Sequence, residues 1–161
     1  MITNKPSDRG QHIDDLRGAI EHRATWFYML IDEAAKRGLD MDDFARAAIF
    51  NCGCFHGKNK FAKSNDLTVF GPTFATENVK NIFEMDVTTT PDEMYIEFHY
   101  CPLVSAWQKL TDDEEKIANL CDIAMDGDRG IAHEYPEFEF ELGKTIAKGD
   151  PVCQVWFRRK K

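Results

Sequence analysis

The spacing of the apolar residues changes near residue 83 of this 161-residue chain, and the change limits the folds that the chain can adopt. In the first part, apolar residues recur every three or four positions, which places them on one face of an α-helix. From residue 83 onward they alternate with polar residues over two successive runs, as in β-strands with one exposed face. The sequence therefore predicts a helical N-terminal part followed by a sheet.

The N-terminal part is predicted to form a helical hairpin from about residue 12 to residue 60. The apolar stripe of its first helix consists of Ile13, Leu16, Ile20, Phe27, Leu30, Ile31 and Ala34. Gly38 can end this helix, and Asp40 can cap the next one. Because so short a turn joins the two helices, we expect them to be antiparallel. Residues 1–10 are expected to be a flexible N-terminus, and residues 11–161 a single domain.

The rest of the chain is predicted to supply about four antiparallel strands with two helices between the strand pairs. The strands are expected over residues 83–90, 94–101, 137–143 and 152–158. Pro102 suits the first turn of one helix, and Thr111 with Glu114 is a capping-box signature for the other. Together with the helical hairpin, these elements predict an α+β fold.

The composition indicates which classes of partner and which cellular compartment suit this chain. The chain carries 20 Lys and Arg against 28 Asp and Glu, a net charge of −8, so neither nucleic acid nor a membrane is expected as a partner. Five cysteines, an odd number, do not suggest a disulfide framework, and residues 1–10 lack the apolar core of a signal peptide. We therefore expect a cytoplasmic protein with free thiols. The apolar first helix can also dock on a second copy, so a homodimer is expected.

Cys101 is the first candidate for chemistry, because a predicted strand ends there and a predicted helix begins. Alternation places Glu97, His99 and Cys101 on the same side of the strand. The free N–H groups and dipole at a helix start would lower the thiol pKa. The alternative is a small apolar side chain buried at the end of a strand.

A second group of candidates follows in the next helix and loop. Asp122 and Asp126 are four residues apart and share a helix face, so they are either solvated or directed at a cation or polar substrate. Asp128 and Arg129 lie in a glycine-flanked loop that could close over a site. Cys121 falls on the apolar stripe of its helix and is interpreted as a core residue.

A zinc site is the main alternative to a metal-free site. Thiolates and imidazoles bind zinc, and His99, Cys101, Cys121 and Cys153 would provide four ligands if the fold gathered them. No close Cys-x-x-Cys pair supports this arrangement, so no cofactor is expected. A second group, Cys52, Cys54 and His56, is interpreted mainly as packing and surface residues.

Several short segments together resemble the L-2-amino-thiazoline-4-carboxylic acid hydrolase family. They are Tyr100-Cys-Pro-Leu103, Trp107, Leu120-Cys-Asp-Ile-Ala124, Gly127-Asp-Arg-Gly130 and Lys148-Gly-Asp-Pro-Val-Cys153, and the similarity extends over roughly residues 20–158. The resemblance implies a hydrolase that opens a cyclic amidine, a thiazoline ring, at a C–N or C–S bond. It also implies a distant likeness to small-molecule-binding domains of the vinyl-reductase type, some of which carry a cysteine-bound metal.

The chemistry of such a ring opening suggests roles for the candidates. Cys101 would attack the amidine carbon, His99 would move the proton, and Asp122 or Asp126 would hold the amidinium. An activated water or a zinc-bound hydroxide could replace the thiolate.

The small-molecule substrate is expected to contact four further residues, Trp107, Asp128, Arg129 and Cys153, with Arg129 facing its carboxylate. The alternative function is a sensor or carrier domain that binds a small molecule without turnover. The reactivity of Cys101 separates the two hypotheses.

Overall fold

The computed structural model describes residues 1–161, apart from the side chain of Met41, and confirms an α+β fold. The helices are α1 (Gln11–Lys36), α2 (Met41–Asn59), α3 (Leu67–Phe74), α4 (Glu77–Phe83), α5 (Pro102–Gln108), α6 (Glu114–Ala124) and α7 (Asp126–His133). The strands are β1 (Met85–Thr89), β2 (Glu93–Phe98), β3 (Phe138–Leu142) and β4 (Cys153–Arg159), with a 3-10 helix at Ile146–Lys148. No helix of the described residues is long and apolar enough to span a membrane.

The four strands form one antiparallel sheet in the order β1-β2-β4-β3. Alternate residues of β2 and β4 are buried on one face, for example Ile96 opposite Val155. Leu67 and Phe70 of α3 and Ile131 of α7 pack against this face. The other face carries the intervening polar and aromatic side chains, and these are partly exposed. The predicted alternation therefore separates a covered face from an open face.

Most of the predicted helix boundaries are confirmed, with two corrections. Asp40 caps α2 by accepting a hydrogen bond from the Asp42 N–H. The start of α6 is capped by Asp113, which accepts from the Lys116 N–H at 2.9 Å, and not by Thr111. Residues 127–130 form part of α7, whereas the glycines predicted a loop.

The close packing of α7 on α2 explains why this glycine-rich segment is helical. A Cβ atom on Gly130 would overlap the carbonyl oxygen of Phe50, so only glycine allows the two backbones to approach this closely. The contact between the helices stabilises α7 more than the two glycines weaken it. It also fixes the position of Asp128, two residues before Gly130.

The first ten residues, which were expected to be flexible, make specific contacts with the domain. Ile2 is buried, and its N–H donates to Glu114 Oε1 at 2.9 Å. The Asn4 side-chain amide forms two hydrogen bonds of 2.9 Å with the backbone of Cys101, one as donor and one as acceptor. The N-terminal segment therefore lies directly against the beginning of α5.

Candidate functional site

His99 and Glu97 share the open face of the sheet, as predicted, but Cys101 does not join them. His99 Nε2 lies 2.9 Å from Asp86 Oδ2, and Glu97 accepts hydrogen bonds from Tyr95 and Gln154. Strand β2 ends at Phe98, and the chain then turns inward, so that Cys101 is buried in the core. The predicted base therefore lies on the open face and the predicted nucleophile in the core, although only Tyr100 stands between them in the chain.

The Cys101 thiol lies at the start of α5, but its pKa changes in the direction opposite to the prediction. Burial raises the pKa of this thiol. The N–H groups of Val104 and Leu103 and the charge of Arg23 act to lower it, and they do not offset the burial. The prediction of a helix start beside the sulfur was therefore right, and the prediction of a lowered pKa was wrong. Cys101 is a protonated thiol at neutral pH.

Cys121 and Cys153 lie in the same buried cluster as Cys101. Burial, with a smaller contribution from the neighbouring thiols, raises the pKa of Cys121 well above its ordinary value and that of Cys153 to about 12. The Ile146 N–H donates to Cys153 Sγ at 3.2 Å. Three of the four residues considered for zinc therefore lie in one buried cluster, but among the described residues their sulfur atoms do not all lie within 4.8 Å of one another, and the fourth, His99, lies on the open face.

Asp122 and Asp126 are engaged by two arginines. Arg46 Nη1 lies 2.8 Å from Asp122 Oδ2 and 3.1 Å from Asp126 Oδ2. Arg129 lies 2.9 Å from Asp122 Oδ1 and 2.6 Å from Asp126 Oδ1. Burial raises the pKa of Asp122, but the hydrogen bonds and charges of Arg129 and Arg46 lower it overall. All four carboxylate oxygens therefore bind guanidinium groups of the protein itself, and this network joins α2, α6 and α7.

Asp128 differs from these two aspartates, because its carboxyl has neither a hydrogen bond nor an ion pair among the described residues. Burial raises its pKa to about 7, and the nearby charges of Arg129 and Arg23 lower it only in part. The side chain is nevertheless partly exposed. A carboxyl with a pKa near neutrality can both accept and donate a proton under physiological conditions.

Arg23 of α1 is the residue that the sequence reasoning missed. It is exposed, forms no ion pair among the described residues, and is close enough to lower the pKa of both Cys101 and Asp128. No motif surrounds it, and the spacing of α1 indicates only that it lies on the polar side. The sequence alone does not separate Arg23 from the other cations of α1, because the absence of an ion pair depends on the fold.

Trp107 is a core residue, and two surface grooves lie apart from Cys101 and Asp128. Trp107 is fully buried, and its Nε1–H donates to the Ala24 carbonyl at 3.1 Å, so it joins α5 to α1. One groove of about 300 Å³ lies between α1, α2 and α6, and another of about 330 Å³ lies beside Arg46 and Asp126. Neither of these two grooves is lined by Cys101 or Asp128.

Comparison with known proteins gives one family. The family model described as L-2-amino-thiazoline-4-carboxylic acid hydrolase matches residues 17–157. No curated protein matches the chain. Among solved structures, the chain is similar to trafficking protein particle complex subunit 3 from Naegleria fowleri, covalently bound to palmitic acid, with 20% identity over 92% of this chain and 82% of that chain and a TM-score of 0.41.

Proposed function

Because this chain belongs to the L-2-amino-thiazoline-4-carboxylic acid hydrolase family, we propose that it opens the ring of a small cyclic amidine by hydrolysis. The bond that breaks is a C–S or C–N bond of a ring such as 2-aminothiazoline-4-carboxylate. The family supports the reaction class. The observation that carries the assignment of the site is the unpaired carboxyl of Asp128, with its pKa of about 7.

Asp128 acts as the general acid–base in this proposal. Its carboxylate takes a proton from water while the water oxygen bonds to the amidine carbon. When the tetrahedral intermediate breaks down, the ring bond to sulfur or nitrogen breaks, and Asp128 returns the proton to the leaving atom. Water is the nucleophile here, since the raised pKa of Cys101 leaves too little thiolate for attack.

Arg23 binds the substrate carboxylate in the same proposal. This role was predicted for Arg129, but both of its terminal nitrogens bind Asp122 and Asp126. Arg23 has no such partners among the described residues, and its charge already acts on Asp128. A guanidinium that holds the carboxylate would place the ring close to the acid–base.

The test is ring opening of 2-aminothiazoline-4-carboxylate by the wild-type protein and matched variants. Asp128→Asn should lower kcat by about 10²- to 10⁴-fold, the usual contribution of a general acid–base. Arg23→Ala should raise KM, and this effect should disappear with a substrate analogue that lacks the carboxylate. Asp112→Asn, at an exposed and unpaired carboxylate, serves as the control and should keep full activity. Full activity of Asp128→Asn would refute the assignment.

One observation favours a binding module without turnover as the second candidate. The pKa of each of the three interior thiols is raised, which is typical of inert core cysteines and atypical of thiol enzymes. A sensor or carrier domain would bind the thiazoline carboxylate and release it unchanged. Saturable binding by calorimetry, together with an unchanged ligand after prolonged incubation, would favour this function.

A further inference from the structure

Two carboxylates face each other directly on the open face of the sheet. Asp86 of β1 and Glu97 of β2 are paired in the antiparallel register. Like charges at directly opposite positions destabilise a strand pair. Among the described residues, neither carboxylate forms an ion pair with Lys or Arg, and the one basic side chain that contacts Asp86 is His99. The arrangement therefore favours a bound cation.

His99 completes a set of three donor groups. It follows Glu97 by two residues and so lies on the same face. The backbone N–H of His99 donates to the Glu84 carbonyl at 3.1 Å, and this bond continues the pairing of β1 with β2. One donor atom from each of Asp86, Glu97 and His99 lies within 4.8 Å of the other two. Among the described residues these are the only three histidine, cysteine or acidic donors that converge this closely.

Two further side chains orient the central carboxylate. The Tyr95 hydroxyl donates to Glu97 Oε1, and Gln154 Nε2 donates to the Tyr95 hydroxyl at 2.9 Å and to Glu97 Oε1 at 3.4 Å. Such hydrogen bonds from outside the donor set fix the orientation of metal ligands in proteins. Tyr95 of the same strand and Gln154 of the neighbouring strand β4 therefore fix the orientation of the Glu97 carboxylate.

We propose that Asp86, Glu97 and His99 bind a divalent transition-metal ion of the zinc type. With metal–ligand bonds of about 2.0–2.2 Å in a tetrahedral site, ligand atoms lie roughly 3.3 Å apart. His99 Nε2 and Asp86 Oδ2 are 2.9 Å apart, so a small opening of this contact admits the ion in place of the shared proton. Three protein ligands leave a coordination position for water or another molecule. The site lies on the face of the sheet opposite to α7 and is independent of the proposed acid–base.

The test is calorimetric titration of chelator-treated protein with Zn²⁺. The wild-type protein should bind one equivalent, and both His99→Ala and Glu97→Gln should weaken binding at least 100-fold. Tyr95→Phe, which removes the hydroxyl that donates to Glu97 and accepts from Gln154, should weaken it about 10-fold. His12→Ala, at an exposed histidine of α1, is the matched control and should bind like the wild type.

Two results would overturn the proposal. One is the absence of Zn²⁺ binding at micromolar concentrations. The other is binding that His99→Ala and Glu97→Gln leave unchanged, which would place the ion elsewhere, for example at the buried cysteines. Circular dichroism spectra that match the wild type confirm that each variant is folded, which is expected because the substituted side chains are partly exposed.

Discussion

The carbonyl oxygen of Gly127 lies 2.0 Å from the position that a Cβ atom on Gly53 would take, which is too close for any side chain. Through this contact the backbones of α2 and α7 touch directly. It therefore also fixes where Asp128, the residue after Gly127, lies relative to α2. Glycine at position 53 is therefore a requirement of packing, whereas a Cβ atom on Gly127 would make only an ordinary contact with Ile49 Cγ2 at 3.6 Å. The proposed acid–base depends on the contact between Gly53 and Gly127 for its position.

Gly53→Ala tests this packing. Alanine within a helix is normally favoured over glycine by about 1 kcal/mol, but overlap with the Gly127 carbonyl should reverse the sign and destabilise the protein by about 2 kcal/mol or more. Urea unfolding measures the difference. Gly18→Ala is the matched control, since no atom lies within 4 Å of its Cβ position, and it should stabilise the protein. A stabilised Gly53→Ala variant would show that α2 and α7 can move apart freely.

Asp126→Ala tests whether the network of two aspartates and two arginines is structural. Asp126 is only 8% exposed, and its removal leaves Arg46 and Arg129 with fewer partners. We expect a loss of about 2 kcal/mol, less than for a fully buried pair because both arginines are partly exposed. Glu33→Ala, which breaks an exposed ion pair of α1, should cost much less than Asp126→Ala because solvent screens this pair. Equal losses in the two variants would contradict a structural role.

The sequence predicted the fold better than the site, for reasons that particular residues make clear. Periodicity and capping act locally, so the strands and the cap at Asp40 were predictable. The placement of His99 on the open face and of Cys101 in the core was not predictable. It depends on where β2 ends and on how the chain then turns into the core. The helix at residues 127–130 was missed because its stability comes from α2, some 75 residues earlier in the chain.

The homodimer expected from the first helix stays a prediction. Trp26 and Leu30, four residues apart on α1, are 63% and 67% exposed. We expect light scattering at micromolar concentration to give a molecular mass of twice 18.5 kDa for the wild-type protein. The Leu30→Glu variant should have the mass of a monomer. Val69→Glu, at an exposed apolar residue of α3, should leave the mass of the wild type unchanged. A wild-type mass of 18.5 kDa would exclude the dimer.

Labelling with iodoacetamide between pH 5 and 9 tests the role of Cys101. Since burial raises its pKa, Cys101 should stay unlabelled in the folded protein over most of this range, whereas the exposed Cys52 should react first. Cys101→Ala should keep ring-opening activity within a few-fold of the wild type, because water is the proposed nucleophile. Rapid labelling of Cys101 below pH 8, with loss of activity in Cys101→Ala, would restore the thiolate mechanism.

Asp128 should make stability and activity depend on pH in opposite ways. Its pKa is about 7 in the folded protein and near 3.8 in the unfolded chain, so the folded state binds more protons between these values. Its contribution to stability is therefore fully present below about pH 4 and is lost as the pH rises through 7. The ionised carboxylate is the general base, so kcat/KM for ring opening should rise over the same interval.

Asp128→Asn should abolish both trends. We expect this variant to have higher thermal stability than the wild type at pH 8, and a low rate of ring opening that does not vary between pH 6 and 8. A variant that keeps the wild-type rise in kcat/KM would show that another group activates the water.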